Sequence, residues 1–357
     1  MKKYNKFFSD KTVIITGHTG FKGSWLCYLL WLFGAKVIGI SSYDLGKNSN
    51  YKILKIKSKI HKEYKIDICN LKKLKSIFIK SKPDIILHLA AQSLVSKSVQ
   101  KPIETLKTNI IGTTNILESL RYIKKKCSAV IVTSDKCYTN KEINKGYIET
   151  DTLGGDDPYS SSKAAAEIIF KSYFKTYFFS KKNISLATAR AGNVIGGGDF
   201  SVNRIVPDAI RSISKNIPLD VRNPKSTRPW QHVFEPLRGY IDLSINLYKT
   251  NINSGESFNF GPRKSENYGV IDVVNVIRET VPSLKIKINK KKPLFKESGL
   301  LKLNCKKAQK LLGWSPLVNT KQSINLSIDW YLCFLNKKKD IESFTVKQIS
   351  NYFESNI

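Results

Sequence analysis

The chain has 357 residues, 41% of them hydrophobic, enough for one large or two fused globular domains with a full core. Its 60 Lys and Arg outweigh 28 Asp and Glu, a net charge of +32, but the lysines are dispersed, not striped. That argues for a solvated surface and against a nucleic-acid partner. No apolar run is long enough to span a bilayer, none follows Met1, and the six cysteines have no metal or disulfide spacing. The expectation is a cytoplasmic protein with free thiols, no membrane partner and no metal site.

In chain order, residues 11–16 read as a buried strand, then a glycine turn and a helix over 21–33. A strand follows at 36–41 and a short one near 64–67. A helix at 71–80 precedes a strand at 84–88, a long helix over 98–123 and a strand at 129–133. A helix from Pro158 to about residue 177 comes next, with Asp157 as its N-cap and Pro158 in its first turn. A strand at 185–190 closes the regular part. Strands alternating with helices predict a doubly wound parallel α/β sheet, a Rossmann domain over 1–190. Residues 191–357 predict a smaller α/β substrate domain, with some crossing of the chain. Its helices fall near 203–214, 235–248, 269–280, 305–312, 321–336 and 339–354. Short basic runs at Lys290–Lys292 and Lys337–Lys339 read as surface.

Gly17, His18, Thr19, Gly20, Phe21 and Gly23 lie between the first strand and the first helix. The spacing is G-x-x-G-x-x-G. Glycines there permit a tight turn and let a pyrophosphate approach backbone N–H groups at the positive end of a helix. At the end of the second strand stands Asp44, with no Arg for a 2′-phosphate, which favours NAD over NADP. Asp67 and Ile68 are placed near an adenine edge, and Ala90, Ala91 and Gln92 along the cofactor cleft. His18 is assigned to the cofactor turn with no catalytic role.

Tyr159 and Lys163 lie four residues apart, so phenol and ammonium share one helix face. A unit charge ~4 Å away at an effective dielectric of ~20 is worth roughly 4 kcal/mol, about 3 pKa units. Lys163 is therefore expected to bring Tyr159 towards neutrality as a base. Ser134, Asp135 and Lys136 end the fifth strand, at the carboxyl edge where such sheets bind ligands. An acid/base pair beside a redox tyrosine exceeds what plain hydride transfer needs. Only nine arginines occur, and eight lie between Arg190 and Arg278, which points to a phosphate-rich ligand there. Arg204, Arg222, Arg228 and Arg263 are the candidates, with Arg190 and Asn193 at the substrate end of the last strand. Trp230 and His232 read as packing residues.

With these residues in view, the chain resembles the extended short-chain dehydrogenase/reductases, and among them the CDP-glucose 4,6-dehydratases. The likeness runs through 18–25, 133–138, 190–199 and 228–233. dTDP-glucose dehydratases place Asp-Glu where this chain has Asp135-Lys136, and UDP-hexose 4-epimerases lack the pair. The resemblance implies an NAD-dependent lyase. Tyr159 would take the C4 hydroxyl proton as C4 gives hydride to NAD. Lys163 would lower the phenol pKa and hold the nicotinamide ribose, and Ser134 would position the C4 oxygen. Water would then leave across C5 and C6, with Asp135 as acid and Lys136 as base by analogy, although the two titrate together and the sequence leaves the proton's place open. Asn109 resembles the family's active-site Asn or, equally, a buried amide bridging helices. The resemblance further implies a nucleotide-sugar substrate, a homodimer built on helices around 98–123 and 158–178, and a product destined for bacterial polysaccharide. A 4-epimerase in the same fold, or an idle fold binding nucleic acid by charge, are the alternatives.

Overall fold

The computed structural model describes residues 1–42, 46, 48–224, 226–263, 268–289, 300–337 and 340–354. Asp44 and the Lys290–Lys292 run lie outside them.

The centre is one sheet of seven parallel strands. Six come first in the chain: β1 (Thr12–Thr16), β2 (Lys36–Ser41), β3 (Lys62–Lys65), β4 (Ile85–His88), β5 (Cys127–Val132) and β6 (Ile184–Ala191). Beyond them come β7 (Val194–Ile195), β8 (Leu219–Val221), β9 (Gln231–His232), β10 (Ser257–Phe260) and β11 (Ile286–Ile288). The sheet order is β10-β6-β5-β4-β1-β2-β3, with β7/β9 and β8/β11 as separate parallel pairs. The order reverses between β1 and β4, which opens a crevice at their carboxyl ends.

Strict alternation along the strands splits the interior into two cores. Val13, Ile15, Ile85, Leu87, Val130 and Val132 face one, with Trp25, Leu29, Phe234 and Leu237 from covering helices. Ile14, Ile86, Ala129 and Ile131 face the other, with Leu74, Phe78, Ile116 and Leu120. Neighbouring residues serve opposite faces because the side-chain period is two, and helices on both sides favour apolar residues on both.

The long helix expected over 98–123 is interrupted. It forms as Val95–Gln100 and Pro102–Leu106, then a π turn at Lys107–Ile111, then Gly112–Leu120. Pro102 cannot donate, and it drives Lys101 out of the helical region to φ −133°. β3 starts two residues earlier than expected. A helix the sequence reading missed, Lys2–Phe8, buries Tyr4 and Phe8, and Tyr4 stacks on Phe33 at 5.0 Å and meets Phe353 edge-on at 5.6 Å.

Residues beyond 190 do two things. The helix Phe234–Thr250 packs on β5 and β6, and β10 joins β6 in the main sheet. The helices Ile205–Lys215, Val270–Thr280, Thr320–Leu335 and Ile341–Glu354 pack on one another beside it.

Candidate active site

The glycine turn is crowded enough to demand its glycines. Gly17 has φ +75°, and a Cβ there would stand 2.7 Å from the Ala90 nitrogen. A Cβ on Gly23 would come within 2.1 Å of the Gly17 carbonyl oxygen. Gly20 caps Phe21–Leu32 without a side chain, so the first N–H groups of that helix are left to a ligand or solvent. Ala90 and Ala91 stand half-buried past the end of β4. This small-residue cradle fits the pyrophosphate of a dinucleotide.

Several residues expected to line the cofactor are committed elsewhere. The His18 ring is fully buried, and its Nε2 lies 2.8 Å from Glu63 Oε1, beneath the turn instead of in the cleft. Gly39, inside β2, makes room for that ring: a Cβ there would lie 2.4 Å from His18 Cδ2. Asn109 is the bridging amide. It accepts from the Gln92 N–H at 2.8 Å and donates to the Gln92 carbonyl at 3.0 Å and to Ser162 Oγ at 2.8 Å. The Gln92 side chain is spent on the Leu94 backbone and Thr105. Ile68 is a core residue packed over Gly112. Exposed Asp67 accepts from the Cys69 N–H at 2.8 Å. Of these, Asp67 and in part Gln92 are held by nearby backbone, His18 and Asn109 by groups distant in the chain, and Ile68 by apolar packing.

The catalytic set converges. Asp157 accepts from the N–H groups of Tyr159 and Ser160 at 2.9 and 3.0 Å, which starts the helix Pro158–Tyr173 at the sheet edge. Tyr159, Lys163 and Glu167 follow at steps of four along one buried face. Ser134, at the end of β5, donates to Asp135 Oδ1 at 3.0 Å and accepts from the Lys136 N–H at 3.2 Å. Asp135 is buried, and its Oδ2 has no hydrogen-bond partner among the described residues. Gly192 lets it sit there, since a Cβ would come 2.5 Å from Pro229 Cγ and 3.1 Å from Asp135 Oδ2.

Electrostatics differ from the sequence expectation at Tyr159. Burial pushes the phenol up to about 12, against a hydrogen bond from Ser134 that lowers it, while Asp135 raises it further. Burial holds the Lys163 pKa down to about 8, partly restored by Glu167, and its Nζ donates to the Val132 carbonyl at 3.3 Å. Desolvation is the largest cause of both shifts. Burial also raises the Asp135 carboxyl, opposed by Lys136, Ser134, Arg228 and Lys22.

Arg190 is a correction. It is buried, pairs with Glu167 at 2.8 Å and donates to the Tyr138 hydroxyl at 2.7 Å and the Glu149 carbonyl at 3.0 Å. It ends β6 facing inward, so it ties the catalytic helix to the sheet and does not reach a substrate. Asn193 gives its carbonyl to the Gln231 N–H at 3.2 Å. Arg204 pairs with Asp199 at 2.7 Å, and its charge reaches Tyr159 and Lys22. Arg228 and Arg263 line one open groove of about 390 Å³ with Thr227, Pro262 and Leu300–Leu303. Arg222 is exposed and outside that groove. Trp230 and His232 are buried, as read. Lys22 and Tyr240 join the site unforeseen, with Lys22 Nζ 3.4 Å from the Tyr240 hydroxyl. The glycine spacing drew attention to the backbone around Lys22 and hid its side chain, and no motif marks Tyr240.

The family model described as GDP-mannose 4,6 dehydratase matches residues 14–326. The chain belongs to this family. Among its relatives, a CDP-glucose 4,6-dehydratase of Salmonella typhimurium is 37% identical over 98% of each chain. A dTDP-glucose 4,6-dehydratase of Haemophilus influenzae is 25% identical over 90% of this chain and 97% of its own. Solved structures share the fold. A dTDP-glucose 4,6-dehydratase from Bacillus anthracis in complex with NAD gives a TM-score of 0.73 at 21% identity, covering 90% of this chain and 96% of its own. A UDP-glucuronic acid 4-epimerase from Bacillus cereus gives 0.77 at 23% identity, covering 90% and 99%. A dehydratase and an epimerase thus share this fold, so the fold alone does not separate the two activities.

Proposed function

We propose that the chain is an NAD-dependent hydro-lyase that converts CDP-glucose to CDP-4-dehydro-6-deoxyglucose. The observation that carries this reading is Asp135: a buried carboxyl with one unpartnered oxygen, beside Lys136 and within electrostatic reach of Tyr159. A 4-epimerase, which only moves a proton and a hydride at C4, has no use for that group. The full-length likeness to a relative named for CDP-glucose supports CDP as carrier.

The cradle of Gly17, Gly20 and Gly23, with Thr19, Ala90, Ala91 and Lys163, would hold NAD. When bound, NAD supplies the reversible acceptance of hydride, taken at C4 and returned at C6. Tyr159 receives the C4 hydroxyl proton while Ser134 holds the same oxygen. The resulting ketone acidifies the C5 hydrogen. One member of the Asp135/Lys136 pair removes that proton, and the other protonates the C6 hydroxyl, which departs as water. Burial favours the neutral carboxyl and so the acid role for Asp135. Arg228 and Arg263, which line one groove, would bind the diphosphate, and Arg204, whose charge reaches Tyr159, would act nearer the sugar.

The enzyme acts as a homodimer in the cytoplasm. Ile103 is 75% exposed and Ile168 58% exposed, on helices that pack side by side, which supports burial of that surface against a second copy. Among the described residues no helix is long and apolar enough to cross a membrane.

The test is incubation with CDP-, dTDP-, UDP- and GDP-glucose in heavy water. A 4-keto product from CDP-glucose carrying solvent deuterium at C5 is expected. Interconversion of C4 epimers with no 4-keto product would establish the epimerase instead.

A further inference from the structure

His18 is fully buried beneath the glycine turn, and three residues elsewhere in the chain are shaped to its ring. Gly39 supplies the room: a Cβ there would stand 2.4 Å from His18 Cδ2. Glu63 supplies the acceptor. It lies on β3 directly beside Gly39 in the sheet register, with Oε1 2.8 Å from His18 Nε2. Tyr51, on the short helix Asn50–Ile53, donates to the same oxygen at 2.8 Å and meets the imidazole edge-on at 5.6 Å. Burial raises the Glu63 carboxyl, but the hydrogen bonds of Tyr51 and His18 outweigh it and hold the group below its ordinary value. An ionised carboxylate only accepts, so both partners donate to it. His18 Nδ1 has no hydrogen-bond partner among the described residues, so the polar hold on the ring is Glu63.

We propose that His18, Glu63 and Tyr51 form a clasp that keeps the glycine turn in its NAD-binding shape. They are positioning residues, since they act through the backbone of the turn. The proposal rests on the reading that the glycine cradle holds NAD. The turn is fixed from below at two successive residues. His18 reaches across β2 to β3, and Thr19 Oγ1 lies 2.8 Å from Ser41 Oγ at the end of β2. The connection that contains Asp44 leaves the sheet at Ser41 and returns at Tyr51, and both points are tied to the turn. The same stretch is tied forward, since the His18 carbonyl accepts from Ser24 Oγ at 3.2 Å inside the helix Phe21–Leu32. Opening the turn to release a dinucleotide breaks these side-chain bonds together. A hydride lent at C4 and returned at C6 needs a cofactor that stays in place between the two transfers, and the clasp slows its departure.

The test is NAD release from the NAD-loaded protein, followed by exchange of radiolabelled NAD against excess unlabelled NAD. His18→Ala and Glu63→Ala are each expected to release NAD roughly five- to tenfold faster, with circular dichroism close to native. Glu63→Gln keeps an oxygen for both donors and returns the native rate. The double variant His18→Ala with Glu63→Ala releases NAD no faster than either single one, because the two side chains make one contact. In the NAD-stripped protein, amide hydrogen exchange over residues 19–24 quickens in Glu63→Ala and recovers in Glu63→Gln. Native release rates in the alanine variants, a glutamine variant that behaves like alanine, an additive double variant, or a lower denaturant midpoint with release unchanged would each overturn the proposal. If His18→Ala does not fold, Tyr51→Phe removes one hydroxyl and leaves the rings, and release about two- to threefold faster is expected; an unchanged rate refutes the clasp. A native protein that takes up no NAD would count against the cradle reading instead, and amide exchange would still judge the clasp.

Discussion

At the scale of the residue, burial dominates the site. Burial disfavours the Tyr159 phenolate, so the phenol must lose its own proton before it can accept one from the C4 hydroxyl. Tyr159→Phe keeps the packing and removes the proton acceptor. The variant should retain NAD and lose roughly 10²- to 10⁴-fold in kcat, measured by 4-keto product formation. Lys163 gives a pH signature of the opposite kind. Its pKa drops from 10.5 to about 8 on folding, so between those values the unfolded chain binds the extra proton and stability rises with pH. Relative to Lys163→Met, the native protein should therefore gain up to about 3 kcal/mol between pH 8 and 10.5 in denaturant titrations. A difference that stays flat over that range would place the ammonium in solvent. The two behaviours share one cause: neither charge is welcome in a pocket closed by helices on one side and the sheet on the other.

At the scale of the element, the helix Pro158–Tyr173 is positioned at both ends of its working face. Asp157 and Pro158 start it. One turn beyond Lys163, Glu167 accepts from Thr133 and Thr188 and pairs with Arg190, joining the helix to β5 and β6. Glu167→Gln strands a buried guanidinium, and denaturant titration should show a loss of about 3–5 kcal/mol. The same change removes the charge that supports the Lys163 ammonium. The glycine turn is the second positioning element. In Gly23→Ala the new Cβ would collide with the Gly17 carbonyl, which is backbone and cannot swing aside. Purified Gly23→Ala should carry little bound NAD by absorbance after denaturation, with circular dichroism close to native. Full NAD content would show that the turn relaxes and that the cofactor does not depend on it.

At the scale of the whole molecule, the second half of the chain completes the sheet with β10, so the two halves cannot be read as beads on a string. Ile103 and Ile168 are exposed on one flank formed by the neighbouring helices Pro102–Leu106 and Pro158–Tyr173. Ile103→Asp with Ile168→Asp should convert a dimer to a monomer in light scattering without loss of fold. An unchanged mass would exclude that flank as the contact. Much of this protein was legible in the order of its residues. The strand–glycine–helix opening, the capped Tyr159–Lys163 helix and the polar turn after β5 are local patterns, set by backbone geometry and side-chain period within about twenty residues. Those patterns dictated the α/β sheet and the position of the candidate catalytic residues Ser134, Tyr159 and Lys163. What they cannot carry is which polar side chains reach the crevice and which are consumed inside. Asn109, Gln92, His18 and Arg190 bear the right chemistry but bond to groups from 13 to 67 residues away. Lys22 and Tyr240, 218 residues apart, meet at the crevice. Desolvation and long-range pairing are properties of the packed interior, and for that reason only the tertiary structure decided the electrostatics of the site.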